Sequence, residues 1–339
     1  MARVRRRRDR GIALLLALLV LLLLAVVIVQ MTVTGLHTRT VAGNHVADLQ
    51  NTYGVRAGYH QAALYLQSDL EQGGDADSTA ERWAQPLGFD LGKAQVSVAI
   101  LDTERSINLT QLVNDKGEPN PVVVAQFRRL VRVLRHPPEV ADRILDYVDG
   151  DSKGPFEARA RNERLFNVEE LLRVEGIAPE VLYGGLIQGE EKKGLAPFVT
   201  VGPAAQGQGQ GSAGGSVNAN TTPPEVLQAL ADEMTAGAAE SIVAWRSAPG
   251  SDGKSQPFQK VDDVKRVPGV SGAVFDAIST QLTVKASSFE IRVRSRVGNL
   301  EKAWAYSVRR TGGPQGGVTL LGSWRLSDFL TARPPEEQK

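Results

Sequence analysis

The stretch RRRRDRGIALLLALLVLLLLAVVIVQ, Arg5 to Gln30, decides how the rest of the chain is read. Ile12 to Val29 is an unbroken apolar run of 18 residues. As a helix rising about 1.5 Å per residue it spans roughly 27 Å, enough to cross a bilayer. A removable secretory signal has an apolar core of only about 7 to 15 residues and a small-x-small cleavage site after it; no such site occurs between Val29 and Arg39. Arg3, Arg5, Arg6, Arg7, Arg8 and Arg10 precede the run, and arginines beside a span stay in the cytoplasm. The expected topology is a cytoplasmic N-terminus, one membrane helix over 12–30, and a body outside the cytoplasm. A basic cluster can also contact nucleic acid, but one set directly against a span reads as a topology signal.

Beyond the span, Thr32 to Leu70 stays compatible with helix, with Val46, Leu49, Tyr53, Ala57 and Leu64 recurring on one face. The membrane helix is therefore expected to continue into the body, although Gly54 and Gly58 disfavour helix locally. EQGGDADS, Glu71 to Ser78, ends it. QVSVAIL, Gln95 to Leu101, reads as a strand, closing a segment 31–107. Its partners come nearly two hundred residues later. SFEIRVRSRV sets Phe289, Ile291, Val293 and Val297 on one face and Glu290, Arg292, Arg294 and Arg296 on the other, a half-buried strand. Gly298-Asn299 turns it into AWAYSVRR, and a glycine-rich loop leads to VTLLGSWR, an antiparallel meander within 279–327.

Residues 108–278 interrupt this plan with helix signals: PPEVADRILDYV, VEELLRV, TPPEVLQALADEM and VDDVKRV, with prolines at helix starts. INLTQL at Ile107 and LFNVEELLRVEGIAPEVL at Leu165 are echoed by VNANTTPPEVL at Val217 and FQKVDDVKRVPGVSGAVF at Phe258. Val168, Arg173, Val174 and Gly176 match Val261, Arg266, Val267 and Gly269 at a constant offset, which implies two helical units of similar design. The glycine- and glutamine-rich segment 202–216 is expected to be a flexible connection between them, and the tail 328–339 to be disordered. The fold class is α+β: a long N-terminal helix and an antiparallel sheet, with a large all-α insert of two related units. With 339 residues, 42% hydrophobic, and a net charge of +1, there is room for about two folded units beyond the anchor. The chain has no cysteine, which excludes disulfides, thiolate metal sites and cysteine nucleophiles.

A single small residue, Gly11, lies between the basic segment and the apolar helix. In this the chain resembles the type IV pilin and pseudopilin family, in which a membrane-embedded prepilin peptidase cuts after such a glycine and methylates the new N-terminus. The resemblance implies a leader over 1–11, a mature chain starting at Ile12, and retention of the whole apolar helix. Ordinary pilins carry glutamate at the fifth mature position, which here is Leu16. A carboxylate inside an apolar bundle is costly without a partner, and a subunit with nothing above it has no upstream amine to offer. The absence of that glutamate, together with N-x-N-x-x-P-x-x-x-L and V-x-x-L-x-x-V-x-G motifs between a pilin-like helix and a C-terminal sheet, resembles the minor pseudopilin K of type II secretion systems. That resemblance implies an inner-membrane protein with a periplasmic body. It would sit at the pseudopilus tip with the other minor pseudopilins and the major pseudopilin, starting and capping assembly for protein export. Contacts with inner-membrane components of the system and with exported proteins also follow.

The acidic turn DYVDGDSKGPFE gathers Asp146, Asp149, Asp151 and Glu157 around Gly150 and Gly154. Hard oxygen ligands on a turn suit calcium. The spacing is not that of an EF-hand, since counting from Asp149 puts Lys153 at position five and Ala160 at position twelve. Pseudopilin K proteins are similar in holding calcium at an acidic loop of the helical insert, with further acidic residues downstream; here that part reads EARARNER. VEGIAPEV and VPGVSGAVF also look like helix-hairpin-helix elements, whose glycine lets amides approach a phosphate, so a membrane-anchored DNA-uptake protein is the alternative. Against it, Ala178 and Ser271 stand where a second glycine is usual, and Pro119 to Phe275 holds 17 Lys/Arg against 20 Asp/Glu, a net of −3, where phosphate binding needs a basic surface. His37, His45, His60 and His136 show no metal-ligand spacing, and no nucleophile elbow, phosphate loop or dinucleotide fingerprint occurs. No catalytic residue and no other cofactor is expected.

Overall fold

The computed structural model describes residues 3–72, 74, 76–151, 153–187, 189–202, 215–249, 255–312 and 316–326, with side chains from residue 12 onward. The expectation for 328–339 lies outside these residues, as does most of that for 202–216. One helix, α1 (Arg3–Gln72), runs unbroken through the apolar span and into the body. Its later turns lie on a sheet, and Asn51, Val55, Ala62 and Leu66 are buried on the face that packs. Gly54 and Gly58 belong to the same face. A Cβ on Gly54 would stand 2.2 Å from Ser295 Oγ, and one on Gly58 would stand 2.4 Å from Val293 Cγ1. These glycines are tolerated in helix because only they allow the backbone this close to the strands. The apolar residues Val46, Leu49, Tyr53 and Leu64, conspicuous in the sequence, are 56%, 57%, 61% and 63% exposed. At about 100° per residue they fall on the opposite side of α1 from the sheet.

Two strands follow, β1 (Leu87–Leu91) and β2 (Ala94–Asp102), paired antiparallel. Because Gly54 meets Val96 while Gly58 meets Val98, β2 runs alongside α1 in the direction away from the apolar span. The chain leaves the sheet at that membrane-distal end, through the 3-10 turn Thr103–Arg105.

The first helical unit opens with β3 (Ile107–Asn108) and contains α2 (Pro121–Val133), α3 (Glu139–Val148) and α4 (Pro179–Tyr183). A small hairpin, β4 (Gly184–Ile187) and β5 (Glu190–Lys193), follows. The unit ends on β6 (Val199–Thr200), which pairs in parallel with β3. The second unit repeats the plan: β7 (Val217–Asn218), α5 (Pro224–Ala229), α6 (Ala236–Ser247), α7 (Gly272–Ile278), then β8 (Leu282–Thr283) in parallel with β7. Each unit thus starts and finishes on its own two-residue parallel ladder, the physical form of the sequence echo. Both units contribute to one apolar core that includes Phe127, Ile144, Leu171, Leu227, Ile242 and Phe275.

VEELLRV and VDDVKRV, expected as helices, are instead six-residue 3-10 helices, Val168–Arg173 and Val261–Arg266. Each runs straight into a hairpin whose glycine is left-handed, Gly176 at φ 85° and Gly269 at φ 90°. The chain then returns through β9 (Ser288–Val297), β10 (Leu300–Thr311) and β11 (Gly317–Arg325). The sheet order is β1-β2-β9-β10-β11, all neighbours antiparallel. The whole insert therefore hangs between two adjacent strands, β2 and β9. Val96, Val98, Ile100, Phe289, Ile291 and Val293 pack with Val55, Ala62, Leu66 and Trp83 into a second core. The valine, leucine, isoleucine and phenylalanine side chains among them are each worth about 1.5–3 kcal/mol when fully buried.

Candidate functional site

The first unit carries the acidic turn as a loop closing off α3. Asp149 follows the last helical residue, and its amide N–H donates to the Leu145 carbonyl. Gly150 N–H then donates to the Gly117 carbonyl, which docks the turn on the preceding loop. Asp146, one helical turn back, is turned inward: its Oδ2 accepts the Phe156 amide at 2.9 Å. A Cβ on Gly154 would stand 2.2 Å from the same oxygen. The structure thus groups three of the four sequence-selected carboxylates, Asp149, Asp151 and Glu157, whose oxygens lie within 4.8 Å of one another. Asp146 holds the loop in shape beside them.

Three oxygens in this loop are buried without a hydrogen-bond partner: Asp149 Oδ1, Glu157 Oε1 and Asn162 Oδ1. Asn162 was not singled out from the sequence. Its backbone is left-handed at φ 55°, a conformation that asparagine tolerates, and its Nδ2 donates to the Asp151 carbonyl. A buried oxygen with no donor is rare. Burial lifts the Asp149 carboxyl to about 6, and the charges of Asp151, Glu157 and Asp146 push the same way. Converging carboxylates with free lone pairs are what a hard divalent cation requires, and the donor set fits calcium.

The downstream arginines take up other acids. Arg161 pairs with Glu163 and Glu170, and Arg164 with Asp115. A second acidic group, Asp69, Asp77 and Glu81, also converges, but there Arg310 bonds both Asp69 and Asp77. That group already has its cation.

The remaining sequence-selected positions are spread along the chain. Gly11 and Ile12 lie within α1, and Leu16 is exposed among the apolar residues of the span. His136 is buried, and its Nε2 lies 2.8 Å from the Lys193 carbonyl. In the hairpins, Arg143 donates to the Glu175 carbonyl beside Gly176, while Lys265 and Arg266 pair with Asp262 and Asp263.

Two family profiles, both described as Type II secretion system (T2SS), protein K, match residues 106–204 and 217–285. These ranges coincide closely with the two helical units. A chain in the crystal structure of the GspK-GspI-GspJ complex from enterotoxigenic Escherichia coli Type 2 Secretion System superposes with a TM-score of 0.63 at 20% identity, covering 85% of this chain and 99% of that one. ComE operon protein 1 of Bacillus subtilis (strain 168) is 32% identical over 106 residues, 31% of this chain and 48% of that protein. The chain thus spans about half the length of that relative. Likeness to the solved complex shows the fold, an α+β body behind a long apolar helix. With both helical units matched by its profiles, the chain belongs to the type II secretion system protein K family, membrane-anchored minor pseudopilins.

Proposed function

We propose that this pseudopilin sits at the tip of the pseudopilus in a complex with other minor pseudopilins, where it starts assembly and caps the filament. The observation that carries the reading is the two-sided helix. One side of α1 is used up by its own sheet, while Val46, Leu49, Tyr53 and Leu64 are bare on the other, in line with the apolar span. Exposed apolar residues on one side of a helix are a surface for neighbouring helices. The insert leaves the sheet at its membrane-distal end, where it would obstruct a subunit above. Leu16 asks for no upstream amine, as suits a subunit with none.

On the same reading, prepilin peptidase cuts between Gly11 and Ile12, the basic leader is cytoplasmic and the body is periplasmic. The neighbours are the other minor pseudopilins and the major pseudopilin, as the solved GspK-GspI-GspJ assembly suggests by analogy; inner-membrane components of the system and exported proteins are further contacts. Calcium would be held by Asp149, Asp151 and Glu157 with Asn162 beside them, and would brace the loop by neutralising its charges.

Because the chain has no cysteine, Leu49→Cys or Tyr53→Cys gives a single reactive thiol for cross-linking in membranes containing the whole system. Adducts to other minor pseudopilins are expected from these positions; adducts to none would sink the assembly surface. Leu16→Glu should insert into the membrane normally and reduce secretion, because its carboxylate lacks a partner. Undiminished secretion by that variant would count against the tip position.

A further inference from the structure

Where the insert joins the sheet, three carboxylates are buried together. Asp102 ends β2 and is 2% exposed. Its Oδ2 accepts from Thr221 Oγ1 at 2.6 Å and Asn218 Nδ2 at 2.9 Å, and its Oδ1 accepts from Glu104 N at 2.7 Å. Glu104 Oε1 accepts from Ser287 N at 2.9 Å and Ser287 Oγ at 2.7 Å. Asp77 Oδ2 accepts from Ala286 N at 2.7 Å, while its carbonyl accepts from Asn218 Nδ2 at 3.1 Å. The outgoing chain, the returning chain and the start of the second unit are therefore tied to one another through these side chains.

The charges around them are unevenly shared. Arg310 on β10 bonds Asp77 and Asp69. Glu81, on the loop after α1, accepts from Trp83 Nε1 and Ser78 N. Arg292 on β9 pairs with Glu290. Arg246 on α6 donates to the Ala219 carbonyl at 2.6 Å, and the Arg105 Nε is buried with no partner. Among the described residues, neither Asp102 nor Glu104 has a salt bridge, and the hydrogen-bond donors to both are neutral; the buried Arg105 guanidinium is close enough for its charge and that of Asp102 to interact. Two adjacent buried acids in this position are stable when at least one carries its proton.

We propose that Asp102 and Glu104 form a proton-operated latch: protonated, they hold the insert against the distal end of the sheet, and ionised, they let it swing away. Burial raises both carboxyls, Asp102 to about 6 and Glu104 to about 7; the charge of Asp102 adds to the rise on Glu104, that of Asp77 adds to both, and the donors Thr221, Asn218 and Ser287 partly offset it. When the latch opens, water returns the two groups toward the ordinary carboxylate value of about 4. The closed form then binds more protons than the open one between about pH 4 and 7, so closure is strongest at the acid end and weakens as pH rises through that window. This would couple the attitude of the insert to the acidity of its compartment.

The absence of native cysteine allows a direct test on the full chain in nanodiscs. Spin labels at Lys93→Cys, on the exposed β1–β2 turn, and Glu240→Cys, on the exposed side of α6, report the distance from sheet to insert. At about pH 5.5 one narrow distance is expected; at about pH 8.5 a second, displaced population should grow about tenfold or more, one pKa unit being a factor of ten. Asp102→Asn with Glu104→Gln should keep the narrow distance at both pH values, and Glu104→Gln alone should halve the effect or better if the double variant folds poorly. A wild-type distribution unchanged between the two pH values overturns the latch, as does a folded double variant that responds like wild type.

Discussion

Asn108 and Asn218 occupy the same position in the two helical units, the second residue of each opening ladder. Each uses its side-chain oxygen in the same way: Asn108 Oδ1 accepts from Thr110 N, and Asn218 Oδ1 accepts from Asn220 N. The amide groups then diverge. Asn108 Nδ2 donates to the Gly202 carbonyl, at the end of its own unit. Asn218 Nδ2 donates to Asp102 and to the Asp77 carbonyl, both outside its unit. The repeat has been divided by task. The second unit, with Asn218 fully buried, is the one fastened to the sheet, whereas the first has an expanded loop after α3 in which three oxygens lack donors. One copy holds position and the other is free to hold a ligand.

The strongest way to break this comparison is to remove the two asparagines in turn. Asn218→Ala leaves the buried Asp77 carbonyl without its Asn218 donor and Asp102 Oδ2 with Thr221 alone, and should cost about 2–3 kcal/mol. Asn108→Ala, at a half-buried turn, should cost about 1 kcal/mol. Denaturant unfolding of the full chain in detergent measures both, and equal losses would deny the second unit its anchoring role. Calcium is the next test. At a hundredfold excess over its dissociation constant it would add about 2.7 kcal/mol, seen as a higher melting temperature and as slower hydrogen exchange confined to the first unit. Asp149→Asn should remove the response without touching Asn218 and its contacts. A transition unmoved by millimolar calcium would leave the orphaned oxygens to some other donor.

The broad plan was legible because it rests on long-range pattern: an apolar run in Ile12–Val29, alternation from Phe289 to Val297, and an echo between Val168 and Val261. Helix α1 and the strands β2, β9, β10 and β11 follow from that pattern. The packed side of α1 did not, because a close helix–sheet contact selects Gly54 and Gly58, which carry no hydrophobic signal. Asn162 was equally silent. Its value comes from a left-handed backbone and from an oxygen left without a donor, neither of which composition reveals. Asp102 and Glu104 read as ordinary residues at a strand end; Asn218 and Thr221, at the start of the second unit, close over the first, and the return of the chain at Ser287 closes over the second.

The smallest expected difference lies in the two hairpins, and it tests whether the units still share their turns. Gly176 and Gly269 both have left-handed φ, so alanine at either should cost about 1–2 kcal/mol from backbone strain. Their surroundings differ. A Cβ on Gly269 would find Ser241 Oγ at 3.6 Å, an ordinary contact, whereas one on Gly176 would meet the Arg143 guanidinium at 3.0 to 3.2 Å. That guanidinium donates to the Glu175 carbonyl and lies over the Phe156 ring, 3.9 Å from its centroid. Gly176→Ala should therefore carry the strain and also loosen Phe156, whose amide holds Asp146 in the acidic loop. Weakened calcium binding in Gly176→Ala, with none in Gly269→Ala, would tie the first hairpin to the ligand loop. Equal stability losses and unchanged calcium binding in both would show the hairpins to be interchangeable turns, with the division of labour confined to the ladders and the α3 loop.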